Sequence, residues 1–575
     1  MGAFFIFHKE SDISESSVLK FYLKKGLNDP FIFEIGNYKL FLFRKKILQL
    51  KNYYQKGDYY IFSCGSLFYK GLSYRESLQH LLQDFIKRDV DPQSLYGNYV
   101  LFFYNSISKK IYFSIDPAFI KDVYFDPINK IISTDFLAIL EASSVQKNLN
   151  ILAIFENLIT GNLIPPDTYV NGIQRLDRIN IFDIESHFPG LKVKLFFPEI
   201  VNKIHSYREA INHANKMLSN YFKSAKNIAD EFGAHIGLTG GFDSRLLLMH
   251  AKRKFSKLLT NSFWRPNSIE YINAKSLATF AGISFYSFEN DRFNCPPLQE
   301  MLEQSYYFFD GQIRSENYWD EEFNLAEYTI RLSCEHFVGF HGSGGEQYRN
   351  FDRLIKKLSL SEFIKYDLLL KKFGNVFKDK KLFYALYKNL EQKLKRLIDF
   401  PDNKIGLLEL KKYQNEIWNT ANRTKRVNVL NQLQFYFSPF TEYQISHSAY
   451  AYVPFLGNSL SFQIDMMRSF DPELSSVITN YGFSILDGEP FYFKLIPYIV
   501  NLLPKPFLAF FFQKIKNNNV KKTITINFQS NFMNQIKSKI SFDKITNHED
   551  LKKMLLAFDF LLLKFEERNI INTNY

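Results

Sequence analysis

The stretch His235-Ile236-Gly237-Leu238-Thr239-Gly240-Gly241-Phe242-Asp243-Ser244-Arg245-Leu246-Leu247-Leu248 constrains this chain more than any other. An apolar run enters a polar turn with two adjacent glycines, and an apolar helical pattern begins at once. Strand, tight turn and helix start together call for a sheet that delivers the turn at a strand's C-terminal end. Glycine lets backbone approach an anion and adopt φ > 0. Thr239 and Ser244 add hydroxyls, and the free N–H groups of the new helix point at negative charge. Leu238, Thr239, Gly240, Gly241, Phe242, Asp243, Ser244 and Arg245 are therefore the candidate phosphate cradle. Asp243 is misplaced as an anion ligand; a carboxylate beside phosphates holds Mg²⁺.

The surrounding pattern fits such a sheet. A helical stripe of Ala210, Ile211, Ala214, Met217, Leu218, Tyr221 and Phe222 precedes the turn. After it come a helix over 246–254, a strand over 257–263 carrying Thr260, a helix over 269–278 and a strand over 284–288. This β-α-β-α-β order predicts a parallel sheet with the ligand at its C-terminal edge. A second apolar strand then ends in a glycine-rich turn with a carboxylate, Phe337-Val338-Gly339-Phe340-His341-Gly342-Ser343-Gly344-Gly345-Glu346-Gln347-Tyr348.

Residues 1–200 read differently. Short β-branched or aromatic runs (4–7, 39–43, 59–63, 99–104, 110–114, 123–125) alternate with polar turns, and 77–87 has helical spacing. Ile179–Ile184 reads as one more strand.

These motifs resemble the asparagine synthetase family. Thr239-Gly240-Gly241-Phe242-Asp243-Ser244 is similar to the PP-loop of ATP pyrophosphatases, with threonine for the usual serine. Gly342 to Gln347 resembles the family's Ser-Gly-x-Gly-x-Asp-Glu motif, with Glu346 at the Asp position. The hairpin around Tyr96-Gly97-Asn98-Tyr99 and Ser114-Ile115-Asp116 resembles the N-terminal-nucleophile glutaminase domain, and 155–184, with Pro165-Pro166, resembles its exit.

The resemblance implies a mixed α/β architecture in three parts. Residues 1–200 would form an Ntn-hydrolase-like β-sandwich with helices, 205–525 a PP-loop parallel-sheet domain, and 526–575 a helical C-terminal extension. It implies ATP and Mg²⁺ as cofactors: the turn at 238–245, with Thr260, Gly342 and Gly344, would bind nucleotide, and Asp243 with Glu346 would hold the metal. It also implies an amide-forming ligase that adenylates a small-molecule or peptide carboxylate for attack by ammonia or an amine, releasing AMP and pyrophosphate. Lys514, with Lys505 and Lys516 competing, matches the lysine that stabilises the acyl-adenylate. Asp310 and Arg314 fall where the family lines its acceptor pocket, and Tyr436 to Glu442 resembles its "sPFlD" turn, with Glu442 or Thr441 for Asp.

Two departures narrow the chemistry. Position 2 is Gly where active glutaminases carry the nucleophilic Cys, and Cys64 reads as a core thiol, so glutamine hydrolysis is not expected. Ser343 stands where family members place a residue that helps select or activate the nucleophile. A serine alone is no strong base, which directs attention to free ammonia or an amine of the substrate itself, as in β-lactam synthetase or lasso-peptide cyclases. Amidation of sugar acids for surface polysaccharides, and a non-catalytic scaffold retaining the fold, are the remaining alternatives.

Composition excludes other classes. The chain has 575 residues, more than one core usually supports, so several domains are expected. The net charge of +13 reads as lysine spread over a solvated surface, without a basic stripe interleaved with aromatics, so no nucleic-acid partner is expected. Three cysteines without paired spacing suggest neither disulfides nor a zinc site. Met1 to Phe5 has no signal-peptide character, and 491–512, interrupted by Lys494, Lys505, Pro497, Pro504 and Pro506, reads as buried or interfacial helices rather than a membrane span. A cytoplasmic protein is the expectation, with a homodimer as the candidate assembly.

Overall fold

The computed structural model describes residues 2–200, 203–262, 266–287, 297–312, 335–350, 354, 356–371, 376–493, 495, 499, 503, 507, 528–536, 538–541, 549–568 and 570–571. The chain is mixed α/β, with two largely antiparallel sheets followed by a parallel one.

The first strands are β1 (Ala3–His8), β2 (Phe31–Ile35), β3 (Tyr38–Phe43), β4 (Tyr53–Lys56), β5 (Tyr59–Tyr69) and β6 (Leu95–Asn105). They are followed by β7 (Ile111–Ile115), β8 (Tyr124–Asp126), β9 (Ile131–Ser133), β10 (Gln174–Arg175) and β11 (Leu191–Val193). One sheet has the order β10-β8-β9-β1-β3-β2 and the other β11-β7-β6-β5-β4. Alternation along the strands assembles the core between them: Phe4, Ile6, Leu40 and Leu42 meet Phe62, Cys64, Val100 and Phe102. Cys64 is the buried core thiol its strand pattern predicts.

The outer faces are covered too, which is why β1 is apolar at nearly every position rather than alternating. Phe5, Phe7, Phe41 and Phe43 pack on Val18 and Phe21 of helix α1 (Glu15–Lys24). Further from the sheet, the same cluster takes in Phe558 and Leu561 of the late helix Glu549–Glu567. On the other sheet, Leu101 and Phe103 pack under Leu78 and Leu81 of α2 (Tyr74–Lys87). The remaining helices of this part are α3 (Phe136–Ala142), α4 (Ile151–Thr160) and α5 (Asp183–His187).

One expected strand is not one. Residues 180–182 form a 3₁₀ turn that runs into α5. Asp177 decides this: its Oδ1 accepts the N–H groups of Ile179 (2.8 Å) and Asn180 (3.0 Å), starting a helical turn against the β-propensity of the isoleucines.

Helices α6 (Tyr207–Ser224) and α7 (Lys226–Phe232) then lead into β12 (Ala234–Gly237), α8 (Phe242–Lys252), β13 (Leu258–Ser262), α9 (Ile269–Ala281) and β14 (Ser284–Ser287). After α10 (Leu298–Phe308) come β15 (Val338–Phe340), β16 (Leu358–Ser359), β17 (Lys404–Ile405) and β18 (Phe435–Phe437). The third sheet has the order β14-β13-β12-β15-β18, and every pair in it is parallel. The predicted helical stripe, Ala210 to Phe222, lies within α6, and α7 follows with Ala225 at the join.

The two parts share a polar seam. Asn98 on β6 donates to Tyr436 O (3.0 Å) and accepts from Asn431, and Ser66 on β5 accepts from Tyr436 N (3.1 Å). Among the described residues of the C-terminal end are the helices Asn531–Ile536 and Glu549–Glu567. Among the described residues, no helix is long and apolar enough to cross a membrane. Phe491, Tyr492, Leu495, Ile499, Leu503 and Phe507 are exposed, which removes the buried alternative for these residues.

Candidate functional site

Strands β12 and β15 are neighbours, pairing Ile236 with Phe340, so both glycine turns leave the same edge of the parallel sheet side by side. The approach is close. A Cβ on Gly345 would sit 2.4 Å from Cγ of Asp243, and one on Gly342 would sit 3.1 Å from Ser244 N. Only glycine permits this packing at Gly345.

The first turn is closed on itself by its hydroxyls. Thr239 N donates to Ser244 Oγ (3.1 Å), Gly241 N donates to Thr239 Oγ1 (3.2 Å), and the two hydroxyls lie 3.1 Å apart. Leu238 is buried and its N–H goes to Asn261 O (2.7 Å). Thr260, on β13 opposite Ile236, donates its hydroxyl to Ser284 O (3.0 Å) and stabilises the sheet rather than facing the turn. Phe242 is buried at the start of α8 against Tyr481 and Phe483.

Arg245 is fully buried and turned away from the cradle. It donates to the carbonyls of Leu474 (3.3 Å), Val477 (2.5 Å) and Ile478 (2.9 Å). It is thus an anchor for the segment that carries Asn480, and not itself a ligand for anions. Asn480 N donates to Gly240 O (3.1 Å), and its Oδ1 accepts from Asn273 of α9 (3.0 Å). Burial lowers the Arg245 pKa to about 10, leaving the guanidinium charged at neutral pH.

The second turn carries Gly344 at φ +96 and the 3₁₀ segment Gly345–Tyr348, with Glu346 buried within it. Ser343 O accepts from Ser438 Oγ (3.2 Å), and Ser343 N donates to His341 Nδ1 (3.3 Å). Lys411 Nζ donates to the carbonyls of Glu346 (2.8 Å) and Arg349 (2.7 Å) and to Gln414 Oε1 (3.0 Å), fixing the turn from below.

Sequence reasoning missed two groups at the centre of this arrangement. Arg349 makes a bidentate pair with Asp243, Nη1 to Oδ1 at 2.7 Å and Nη2 to Oδ2 at 3.1 Å. Gln463, from helix Ser461–Phe470, donates to the same Oδ1 (2.8 Å). The donor set at Asp243 does not fit a Mg²⁺ ion, because both carboxylate oxygens are turned toward N–H groups and a guanidinium sits where the cation would. Among the described residues, no cluster of three or more His, Cys, Asp or Glu has metal-binding geometry. An arginine three residues beyond Glu346 carries no motif, so nothing in the pattern could have flagged it.

The other expected site residues lie apart from this centre. Asp310 caps α3, its Oδ2 and Oδ1 accepting from Phe136 N (2.7 Å) and Leu137 N (2.9 Å), and burial first, then Asp135, push its pKa up. Its observed role is the cap of a helix end. Glu442 accepts from Gly97 N (3.0 Å) across the seam between the two parts. Arg314, Lys514, Lys505 and Lys516 lie outside the described residues.

At the start of β1, a Cβ on Gly2 would meet Arg44 O at 2.3 Å, and Gly2 N donates to Phe43 O (3.0 Å). Position 2 therefore has no room for a side chain. The adjoining cavity, lined by residues including Asp122, Asp135 and Asp310, is about 10 Å³ and admits little more than one water. Of the charged groups around it, Lys25 pairs with Asp135 and Arg175 with Asp122 (2.5 Å), while Asp310 accepts backbone N–H groups.

A scan against protein-family models found no match to this chain, and a search of curated proteins found no relative.

Proposed function

We propose that the chain is an ATP-dependent carbon–nitrogen ligase of the asparagine synthetase type, built from an Ntn-hydrolase-like sandwich and a PP-loop sheet. The observation that carries this reading is the convergence of the two glycine turns on adjacent parallel strands, with Gly345 packed against Asp243. A doubly glycine turn opening a helix at that edge offers N–H groups of Thr239 and Gly241 and hydroxyls of Thr239 and Ser244 to a nucleotide's phosphates. Each of these donors is now held by a neighbour within the turn, and an anionic oxygen is the stronger acceptor.

In this reading a substrate carboxylate oxygen attacks the α-phosphorus of ATP, and pyrophosphate leaves with its bonding electrons. An amine nitrogen then attacks the acyl carbon, AMP departs, and the nitrogen loses its proton. The turn at 239–244 would hold the leaving pyrophosphate, and Ser343, beside it, would face the incoming amine. Lys514 would act on the acyl-adenylate. The filled space at Gly2 supports an amine that does not come from glutamine hydrolysis in this chain, so ammonia or a substrate amine is the proposed nucleophile.

The test is a pyrophosphate-release assay with ATP and a panel of amino-acid, peptide and sugar carboxylates, with and without ammonium. Release dependent on the carboxylate, lost in Ser244→Ala, is the expected result. Failure of the intact chain to bind ATP in equilibrium dialysis would sink the reading.

A further inference from the structure

Resting on the nucleotide-site reading above, the geometry points to Arg349 as the resident cation of this site, held by Asp243 in the position that a divalent metal would otherwise take. Three N–H groups reach Asp243: Arg349 Nη1 at 2.7 Å, Arg349 Nη2 at 3.1 Å and Gln463 Nε2 at 2.8 Å. Arg349 Nη1 also donates to Gln463 Oε1, so guanidinium, carboxamide and carboxylate form one closed hydrogen-bonded ring. Arg349 and Gln463 are buried, while the Asp243 side chain keeps 23% of its surface open toward the cradle.

The second carboxylate acts on the same guanidinium. The charges of Asp243 and Glu346 both stabilise protonated Arg349 against the cost of its burial. Asp243, which pairs with the guanidinium directly, supplies the larger part of that stabilisation and Glu346 a lesser one. Lys411, hydrogen-bonded to the backbone on either side of that arginine's turn, supplies a second buried positive charge. The Asp243 carboxylate is thus already answered by a cation of the protein itself.

Mg²⁺ demands near-octahedral oxygen ligands and gives up its waters reluctantly. To bind Asp243 it would have to expel a bidentate guanidinium and leave that buried charge without its hydrogen-bonded carboxylate, which is strongly unfavourable. Arg349 is therefore a positioning residue: it fixes the Asp243 carboxylate against the second turn and makes the protein's own carboxylates unavailable to metal. Any Mg²⁺ that accompanies ATP is held by the phosphates and water.

The experiment uses Mn²⁺ as a paramagnetic stand-in for Mg²⁺, titrated into the full chain without nucleotide and read by electron paramagnetic resonance. Wild type and Asp243→Asn are expected to bind Mn²⁺ equally, within ~2-fold, because Asp243 is not a ligand. Arg349→Met, which keeps bulk and removes charge, is expected to gain a site at least ~10-fold tighter that Arg349→Met/Asp243→Asn lacks. A wild-type Mn²⁺ site that Asp243→Asn weakens ~10-fold or more would overturn the inference, as would a folded Arg349→Met that gains none. If Arg349→Met does not fold, the comparison of wild type with Asp243→Asn still decides. A parallel titration with a non-hydrolysable ATP analogue separates the two claims: no nucleotide binding defeats the ligase reading while leaving the Mn²⁺ result to judge Arg349.

Discussion

Gly345→Ala tests whether the two turns really press on each other. The added methyl would sit 2.4 Å from both Cγ and Oδ1 of Asp243 and 2.8 Å from its Cβ. Ordinary carbon contacts are about 3.5–4.0 Å, so the turns must part by roughly 1 Å. Overpacking of that kind costs about 1–3 kcal/mol. The same displacement would stretch the 2.7 Å contact between Arg349 and Asp243 beyond hydrogen-bonding range, adding part of the cost of a buried charge losing its partner. A total of about 2–4 kcal/mol follows. In an Asp243→Ala background Cγ and Oδ1 are gone and only the Cβ contact remains, so the methyl should then cost about 1 kcal/mol. Thermal unfolding of wild type, the two single variants and the double variant closes the cycle. The expected coupling is about 1–3 kcal/mol, with the double variant more stable than the sum of the singles predicts. Additivity within about 0.5 kcal/mol would refute the convergence and, with it, the observation on which the proposed function stands.

Three further outcomes are expected. Arg245→Met should leave three carbonyls of 474–478 without their donor, lower stability by about 2–4 kcal/mol and speed amide exchange across 474–482; unchanged exchange there would refute the anchoring role. Glu442, whose pKa burial raises to about 8, is protonated in the native protein at neutral pH, so its contribution is full below its ordinary value of 4.5 and is lost as pH rises through about 8. Glu442→Gln should therefore flatten the decline of melting temperature between pH 5 and 8.5. Burial likewise raises Asp116 to about 7, so part of that slope should remain. Gly2→Cys should destabilise the chain by about 1–3 kcal/mol and produce no glutamate from labelled glutamine, since its Cβ would overlap Arg44 O.

What could be read from residues alone was what depends on local order. The apolar run, paired glycines and following helix of 235–248 specify strand, turn and helix almost without reference to the rest of the chain, and the parallel sheet follows from the alternation behind it. The sandwich was legible as strands, though not as covered on both outer faces. What escaped were side-chain meetings between distant segments. Nothing near Asp243 signals Arg349 or Gln463, because their encounter depends on a 3₁₀ turn and on a helix more than two hundred residues away in the case of Gln463. Ile179–Ile184 failed for the opposite reason: one aspartate's hydrogen bonds outweighed six residues of strand-like composition. The cap role of Asp310 was not legible because a lone carboxylate has the same letters whether it meets a ligand or the N–H groups of a helix end.

The cradle's rigidity also has a traceable origin. Asn480 covers Gly240 so closely that a methyl there would lie 1.6 Å from its Oδ1, and Asn480 is in turn held by Asn273. The segment bearing Asn480 is fastened by Arg245, which belongs to the helix the cradle opens. Turn, cover and anchor therefore form a loop of contacts that returns to its starting element. A ligand cannot enter over Gly240 and must approach across Thr239, Gly241 and Ser244, whose N–H and hydroxyl groups now bond one another. In the proposed function those internal bonds would be exchanged for bonds to an anionic oxygen, a charged acceptor making a hydrogen bond roughly twice as strong as a neutral one. Under the proposed function the same N–H groups that bond the turn's hydroxyls would take phosphate by a change of acceptor alone.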